Sequence, residues 1–185
     1  MDIAFFSCFP YEQTFLEVAN RSHRHQLTFL SQSLTPETVP LAAGHQAICV
    51  FVNDRLDAPT LRALAGQGIR SVALRCTGSN QVDVQTAQQL GIRILRVPAY
   101  SPHSVAEHAV ALLLSLNRKT YLAYQRTKDN NFTLDGLMGF DLYGKRVGVI
   151  GTGKIGAAFA HIMLGFGCHV LAYDKMQSAA LQQLG

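Results

Sequence analysis

The chain has 185 residues, 48% of them hydrophobic and 15% charged, with a net charge of +4 at pH 7. Apolar residues run through its whole length, which excludes a disordered chain. No stretch approaches the roughly 18–20 uninterrupted apolar residues of a membrane-spanning helix, and the Lys and Arg residues are scattered rather than gathered as nucleic-acid binding requires.

The N-terminus, Met1-Asp2-Ile3-Ala4-Phe5-Phe6, has no basic region and no small-residue cleavage site. It reads as a first strand, Ile3–Phe6, and not as a signal peptide. Further strand-like runs are Leu27–Leu30, Ile48–Val52, Ser71–Leu74 and Arg93–Val97. Several are apolar almost throughout, as parallel strands covered on both faces are. Helical stretches lie between them. Tyr11, Phe15 and Val18-Ala19 share one face of the first. Thr35-Pro36-Glu37 offers the second an N-cap, a proline at the first helical position and an early acid. Asp57 begins the third and Gly68 ends it; residues 81–90 form the fourth, ended by Gly91.

One phrase recurs: a helix, then Gly, then a β-run, at Gly68-Ile69-Arg70, at Gly91-Ile92-Arg93 and around Gly165–Val170. Glycine suits the left-handed C-cap that turns a helix into the next strand. This grammar predicts an α/β fold with a right-handed, doubly wound parallel sheet.

The pattern changes after residue 100. Ser101-Pro102-His103 opens a long helix, expected to run to about Lys128, with Val105, Ala109, Leu112-Leu113 and Leu116 as its apolar stripe. Residues 129–145 then break the periodicity with Asn130-Asn131, Gly136, Gly139 and Gly144. The reading is two domains. Residues 1–100 form the first; residues 101–185 are a hinge helix and an incomplete dinucleotide-binding domain. The four cysteines, Cys8, Cys49, Cys76 and Cys168, are far apart and show no metal-ligand spacing. They are expected to be reduced thiols in a cytoplasmic protein, with neither disulfide nor metal site.

The strongest chemical signal is Val147-Gly148-Val149-Ile150-Gly151-Thr152-Gly153-Lys154-Ile155-Gly156. A β-run precedes the glycines, a helical run over 154–166 follows, and a second β-run, His169–Tyr173, ends in Asp174. Gly151 allows the tight turn, Gly153 lets backbone approach a pyrophosphate, and Gly156 lets helix pack on strand. Free N–H groups and the helix dipole attract the phosphates. Asp174 is placed to accept from an adenosine ribose, and its charge repels a 2′-phosphate, so NAD is favoured over NADP. Lys175 next to it softens that exclusion.

With these residues in place, the chain resembles the D-isomer-specific 2-hydroxyacid dehydrogenases, and within them the fermentative D-lactate dehydrogenases. The stretches that carry the resemblance are Phe51-Val52-Asn53-Asp54, Ala73-Leu74-Arg75-Cys76-Thr77-Gly78-Ser79-Asn80, Arg96-Val97-Pro98-Ala99-Tyr100-Ser101-Pro102, Val105-Ala106-Glu107-His108-Ala109, Ala123-Tyr124-Gln125-Arg126-Thr127 and the glycine motif. The resemblance implies a flavodoxin-like substrate domain followed by a Rossmann-type NAD-binding domain. It implies reduction of a 2-keto acid by NADH in the cleft between them, and a homodimer in the full-length protein. By the same likeness, the backbone of Thr77 and Gly78 would hold the substrate carboxylate, with Phe51 and Tyr100 lining the site. Val105 would lie near the nicotinamide, and Lys154 and Ile155 would meet the pyrophosphate through their backbone. Arg75 is read as structural, anchoring the Gly78 turn.

Hydride transfer to a keto acid also needs a proton donor and a cation that orients the carboxylate. In the family those roles fall to an Arg, a Glu and a His in a later segment, expected beyond Gly185. The stretch Ser178–Leu184 reads as another helix before Gly185, the phrase that elsewhere precedes a strand. The expectation is therefore the N-terminal half of an NAD-dependent D-lactate dehydrogenase, inactive by itself. His103 and His108, near the hinge, are the candidates to replace the missing acid, but His108 matches a family position that is not the proton donor. The competing reading is a non-catalytic dinucleotide-binding regulatory module or an inactive fragment.

Overall fold

The computed structural model describes residues 1–176; the helical stretch expected at Ser178–Leu184 lies outside them. The chain divides into two units, Met1–Tyr100 and a second beginning at Ser101.

In the first unit, β1 (Asp2–Phe5), β2 (Gln26–Phe29), β3 (Ala47–Val50), β4 (Ser71–Leu74) and β5 (Arg93–Arg96) form one sheet. All pairings are parallel and the order is β2-β1-β3-β4-β5. That is the flavodoxin-like order, as expected, and it reverses between β1 and β3. Alternate side chains on a strand face opposite sides. Ala4, Phe6, Ile48, Val50, Val72 and Leu74 enter the main core with Leu34, Leu56, Leu61 and Leu64. Phe5 and Cys49 enter a smaller core on the other face, which Leu16 of α1 (Pro10–Asn20) covers.

The helix–Gly–β phrase is a Schellman closure each time. After α2 (Ala58–Gly66), Gly68 sits at φ +91° and the Ile69 N–H donates to the Leu64 carbonyl at 3.1 Å. After α3 (Val84–Gln89), Gly91 sits at φ +68° and Ile92 N–H donates to Ala87 O at 2.9 Å. Ile69 and Ile92 are both buried, so each closure also nails the start of the next strand into the core. Asp57 and Asp83 cap the two helices by accepting from the backbone N–H groups of Thr60 and Thr86. The fourth helix is thus shorter than the expected 81–90, because Asp83 is its cap.

Three expectations need correction. No α-helix starts at Thr35; there is only a single 3-10 turn, Val39–Ala42. Pro40 has no N–H for an α-helical bond, and the Thr38 hydroxyl takes Thr35 N–H and donates to Ser33 O instead. The face of α1 carrying Tyr11, Phe15 and Val18 is exposed, Phe15 by 74%. The side turned inward carries Glu12, Leu16 and Asn20: Glu12 pairs with Arg75 at 3.0 Å and Asn20 closes the turn at His25, so polar ties set the helix rotation.

The third correction concerns the long helix. It is two, α4 (Pro102–Arg118) and α5 (Thr120–Lys128), divided at Lys119, which is left-handed at φ +50°. Ser101 caps α4 by accepting from Ser104 N–H. The buried face of α4 is Ala106 and Val110 with Leu113 and Leu114, one residue round from the expected stripe; Leu116 is 66% exposed. Apolar residues occupy both faces here, so periodicity could not choose between them.

The second unit also holds β6 (Arg146–Ile150), α6 (Lys154–Gly165) and β7 (His169–Tyr173). β6 and β7 pair in parallel, Val147 opposite Val170 and Ile150 opposite Tyr173. α4 packs on α6 around Val110, Leu142, Met163 and Cys168. The third Schellman closure lies here, with Gly167 at φ +74° and Cys168 N–H donating to Met163 O at 3.1 Å. No helix among the described residues is long and apolar enough to cross a membrane.

Candidate functional site

Parallel strands all end on one edge, and the loops that follow them gather there. In the first unit Phe51 follows β3, Thr77-Gly78 follows β4 and Tyr100 lies beyond β5. Phe51 is half-buried and held twice. Its N–H donates to a carboxylate oxygen of Asp54, and the Arg75 guanidinium lies 5.4 Å from its ring centre. Asp54 is 1% exposed and also accepts from Ser7 Oγ and Leu34 N–H, each at 2.7 Å. Ser7, at the end of β1, is left-handed at φ +49°.

Arg75 is structural, but it does not anchor the Gly78 turn as expected. It donates to Glu12 at 3.0 Å, to Ser7 O at 2.9 Å, to Phe6 O at 3.1 Å and to Cys49 O at 3.3 Å, tying α1 to the ends of β1 and β3. The residue that reaches the turn is Arg96, whose Nη1 donates to Thr77 O at 2.8 Å. The N–H groups of Thr77 and Gly78 have no partner among the described residues. Tyr100 is 63% exposed.

The cysteines of this unit are free. Burial outweighs the pull of Arg75 and pushes the Cys49 thiol up to about 11, and burial raises Cys8 as well. Neither is a nucleophile at neutral pH. Among the described residues no three His, Cys, Asp or Glu side chains gather as a metal site.

In the second unit the three glycines of the motif differ physically. Gly151 is at φ +92°, and its N–H donates to Tyr173 O at 2.7 Å, closing the ladder. A Cβ on Gly156 would lie 1.9 Å from Gly151 O, so only glycine lets α6 start this close to β6. A Cβ on Gly153 would meet nothing within 4 Å; the space beside it is open. The N–H groups of Gly153, Lys154, Ile155 and Gly156 have no partner among the described residues, as the first turn of a helix leaves them. Asp174, just past β7, accepts from the backbone N–H of Thr152 and from its hydroxyl at 3.1 Å. The Thr152 amide is the main reason its carboxyl lies below the usual aspartate range. An ionised Asp174 is thus tied to the glycine turn. Val105 lies on the first turns of α4, 38% exposed. His103 and His108 are exposed on the same helix.

Open space at Gly153, four unpaired N–H groups on one helical turn and an ionised carboxylate at the end of the next strand fit a dinucleotide: pyrophosphate on the amides, ribose on Asp174. The sequence reading did not single out Asp54, Glu12, Arg96 or Thr152. Asp54, Arg96 and Thr152 stand within the recognisable stretches, but no local pattern marks the partner that each one takes.

The fold and these loops define an α/β protein in which a doubly wound unit with an open turn precedes a β–α–β unit with a glycine cradle. Residues 3–184 match the D-isomer specific 2-hydroxyacid dehydrogenase catalytic domain, and the chain belongs to that family. It is 47% identical over 185 residues to the D-lactate dehydrogenase of Escherichia coli, covering 100% of this chain and 56% of that protein. The apo-structure of the Escherichia coli D-lactate dehydrogenase superposes with a TM-score of 0.93 at 47% identity, over 100% of this chain and 58% of that one. A D-lactate dehydrogenase with NAD+ from Lactobacillus jensenii superposes with a TM-score of 0.72 at 32% identity, over 99% and 56%. The chain spans about half the length of the curated relatives it matches.

Proposed function

We propose that this chain carries the keto-acid and dinucleotide sites of an NAD-dependent D-lactate dehydrogenase, which interconverts pyruvate and D-lactate. The observation that carries the reading is the glycine cradle with its unpaired amides and the ionised Asp174 behind it. The likeness to D-lactate dehydrogenases supports the substrate class.

In this reading the amides of Gly153, Lys154, Ile155 and Gly156 hold the pyrophosphate, with Gly151 shaping the turn. Asp174 accepts from the adenosine ribose and disfavours a 2′-phosphate. Val105 borders the nicotinamide. When bound, NADH supplies the hydride. The amides of Thr77 and Gly78 hold the carboxylate of the keto acid, and Phe51 and Tyr100 bound the space for its side chain. Phe51, fixed by Asp54 and Arg75, suits a small side chain such as that of pyruvate. The protein works in the cytoplasm and associates as a homodimer in this reading.

The test is equilibrium binding of NADH, then NADH oxidation with pyruvate. NADH binding well above NADPH, with pyruvate binding measured separately, supports the reading. Equal affinity for both nucleotides, or none for either, overturns it. Tight NADH binding with no pyruvate binding would favour a dinucleotide-sensing module.

A further inference from the structure

The turn after β4 contains three successive peptide units whose carbonyl oxygens are all held. Cys76 O accepts from Val97 N–H at 3.2 Å, Thr77 O from Arg96 Nη1 at 2.8 Å, and Gly78 O from the Cys76 thiol at 3.2 Å. The Cys76 sulfur is itself held by Gln81 Nε2 at 3.2 Å. A trans peptide is planar, and its carbonyl and its N–H point in opposite directions. Holding the oxygen of one residue therefore sets the direction of the next residue's N–H. The N–H groups of Thr77, Gly78 and Ser79 are each turned away from an anchor, and none has a partner among the described residues.

We propose that Arg96 is a positioning residue for a carboxylate-binding turn, with Cys76 and Gln81 as its second anchor, and that the Ser79 amide joins those of Thr77 and Gly78 as a third donor. This rests on the reading of that turn as the keto-acid carboxylate site. Arg96 acts through the peptide rather than by touching substrate. Its cationic bond to Thr77 O polarises the Thr77–Gly78 peptide and strengthens the Gly78 N–H as a donor. The neutral Cys76 thiol has one proton, which it spends on Gly78 O while accepting from Gln81. The two anchors thus differ in charge but do the same work, and this makes the proposal testable apart from simple attraction between Arg96 and an anion.

The experiment uses the 185-residue chain labelled with 15N and titrated with pyruvate, with NADH titrated separately. In the unsubstituted protein pyruvate shifts the amide resonances of Thr77, Gly78 and Ser79 together. Arg96→Met and Cys76→Ala each weaken pyruvate binding, by about five- to tenfold for Arg96→Met as expected from one charge-assisted bond. NADH affinity stays within twofold in both. Arg96 is exposed, so Arg96→Met keeps the fold, and its thermal unfolding checks that. If pyruvate binds and shifts these amides but both variants bind it unchanged, the positioning role is overturned while the site reading stands. If Arg96→Met weakens binding but Cys76→Ala does not, Arg96 acts by charge alone and the proposal also fails. If pyruvate shifts no resonance of this turn in the unsubstituted protein, the site reading itself is wrong.

Discussion

Asp54 accepts the backbone N–H of Phe51 on one carboxylate oxygen and, on the other, the Leu34 backbone N–H and the Ser7 hydroxyl, both at 2.7 Å. One buried acid thereby joins the ends of β1 and β3 to the loop carrying Leu34, at the point where the strand order reverses. Removing it leaves the Leu34 and Phe51 amides without their acceptor, while the Ser7 hydroxyl can still donate to Ser33 Oγ at 3.0 Å. We expect Asp54→Ala to cost about 3 kcal/mol or more in urea unfolding, and Asp54→Asn clearly less because one acceptor survives. A loss below about 1 kcal/mol for Asp54→Ala would show that water replaces the carboxylate and that the junction does not depend on it.

The glycines separate folding from binding. Gly156→Ala puts a methyl 1.9 Å from the Gly151 carbonyl, a backbone atom that cannot swing aside. It should lower the stability of the second unit by about 2–3 kcal/mol and abolish NADH binding with it. Gly153→Ala meets nothing within 4 Å, so the fold should be kept while the methyl blocks close approach of the pyrophosphate. Calorimetry paired with NADH fluorescence distinguishes the two. Equal stability loss in both variants would contradict the assignment of different jobs.

Asp174 is held below the usual aspartate range chiefly by the Thr152 amide. A depressed folded-state value means that its contribution to stability is present above the unfolded value of about 3.9 and lost as pH falls through the folded one. NADH binding should therefore not titrate through Asp174 between pH 5 and 8. Asp174→Ala should weaken NADH and narrow its preference over NADPH, because the repulsion of a 2′-phosphate goes with the carboxylate. An unchanged preference ratio would remove Asp174 from the ribose site.

Thiol labelling should be ordered by burial. Cys8, Cys49 and Cys168 are buried and Cys76 is half-buried. With Cys49 pushed up to about 11, iodoacetamide at pH 8 should modify Cys76 first and leave Cys49 until the protein unfolds. Mass spectrometry of the native protein reads this directly. Early labelling of Cys49 would mean that the ends of β1 and β3 open readily.

Much of this architecture was legible in local chemistry. The five short apolar runs are the five strands to within one or two residues, and two of the three glycine closures sit at the glycines that mark them. The third closes at Gly167, where two glycines two residues apart, Gly165 and Gly167, left the register open. The cradle could be read because Gly151 and Gly156 answer backbone requirements that no other residue meets, while Gly153 leaves the space beside the turn open. The rotations of α1 and α4 could not be read. Both helices carry apolar residues on more than one side, and the side that faces inward is chosen by Glu12 and Asn20 in one and by Met163 and Leu142 in the other.

The sequence by itself determined what depends on neighbours along the chain: strands, caps, glycine closures and the turn at Gly151–Gly156. Caps and closures rest on backbone dihedrals and hydrogen bonds that span only a few residues, and the strands show as short apolar runs bounded by turn residues. Tertiary structure alone decided the partners separated by tens of residues. Arg75 reaches Glu12 rather than Gly78, Arg96 reaches Thr77, and Asp54 reaches Ser7. The reason is that a long polar side chain has several possible partners within reach. The choice among them falls only when the strand order sets which loops share an edge of the sheet.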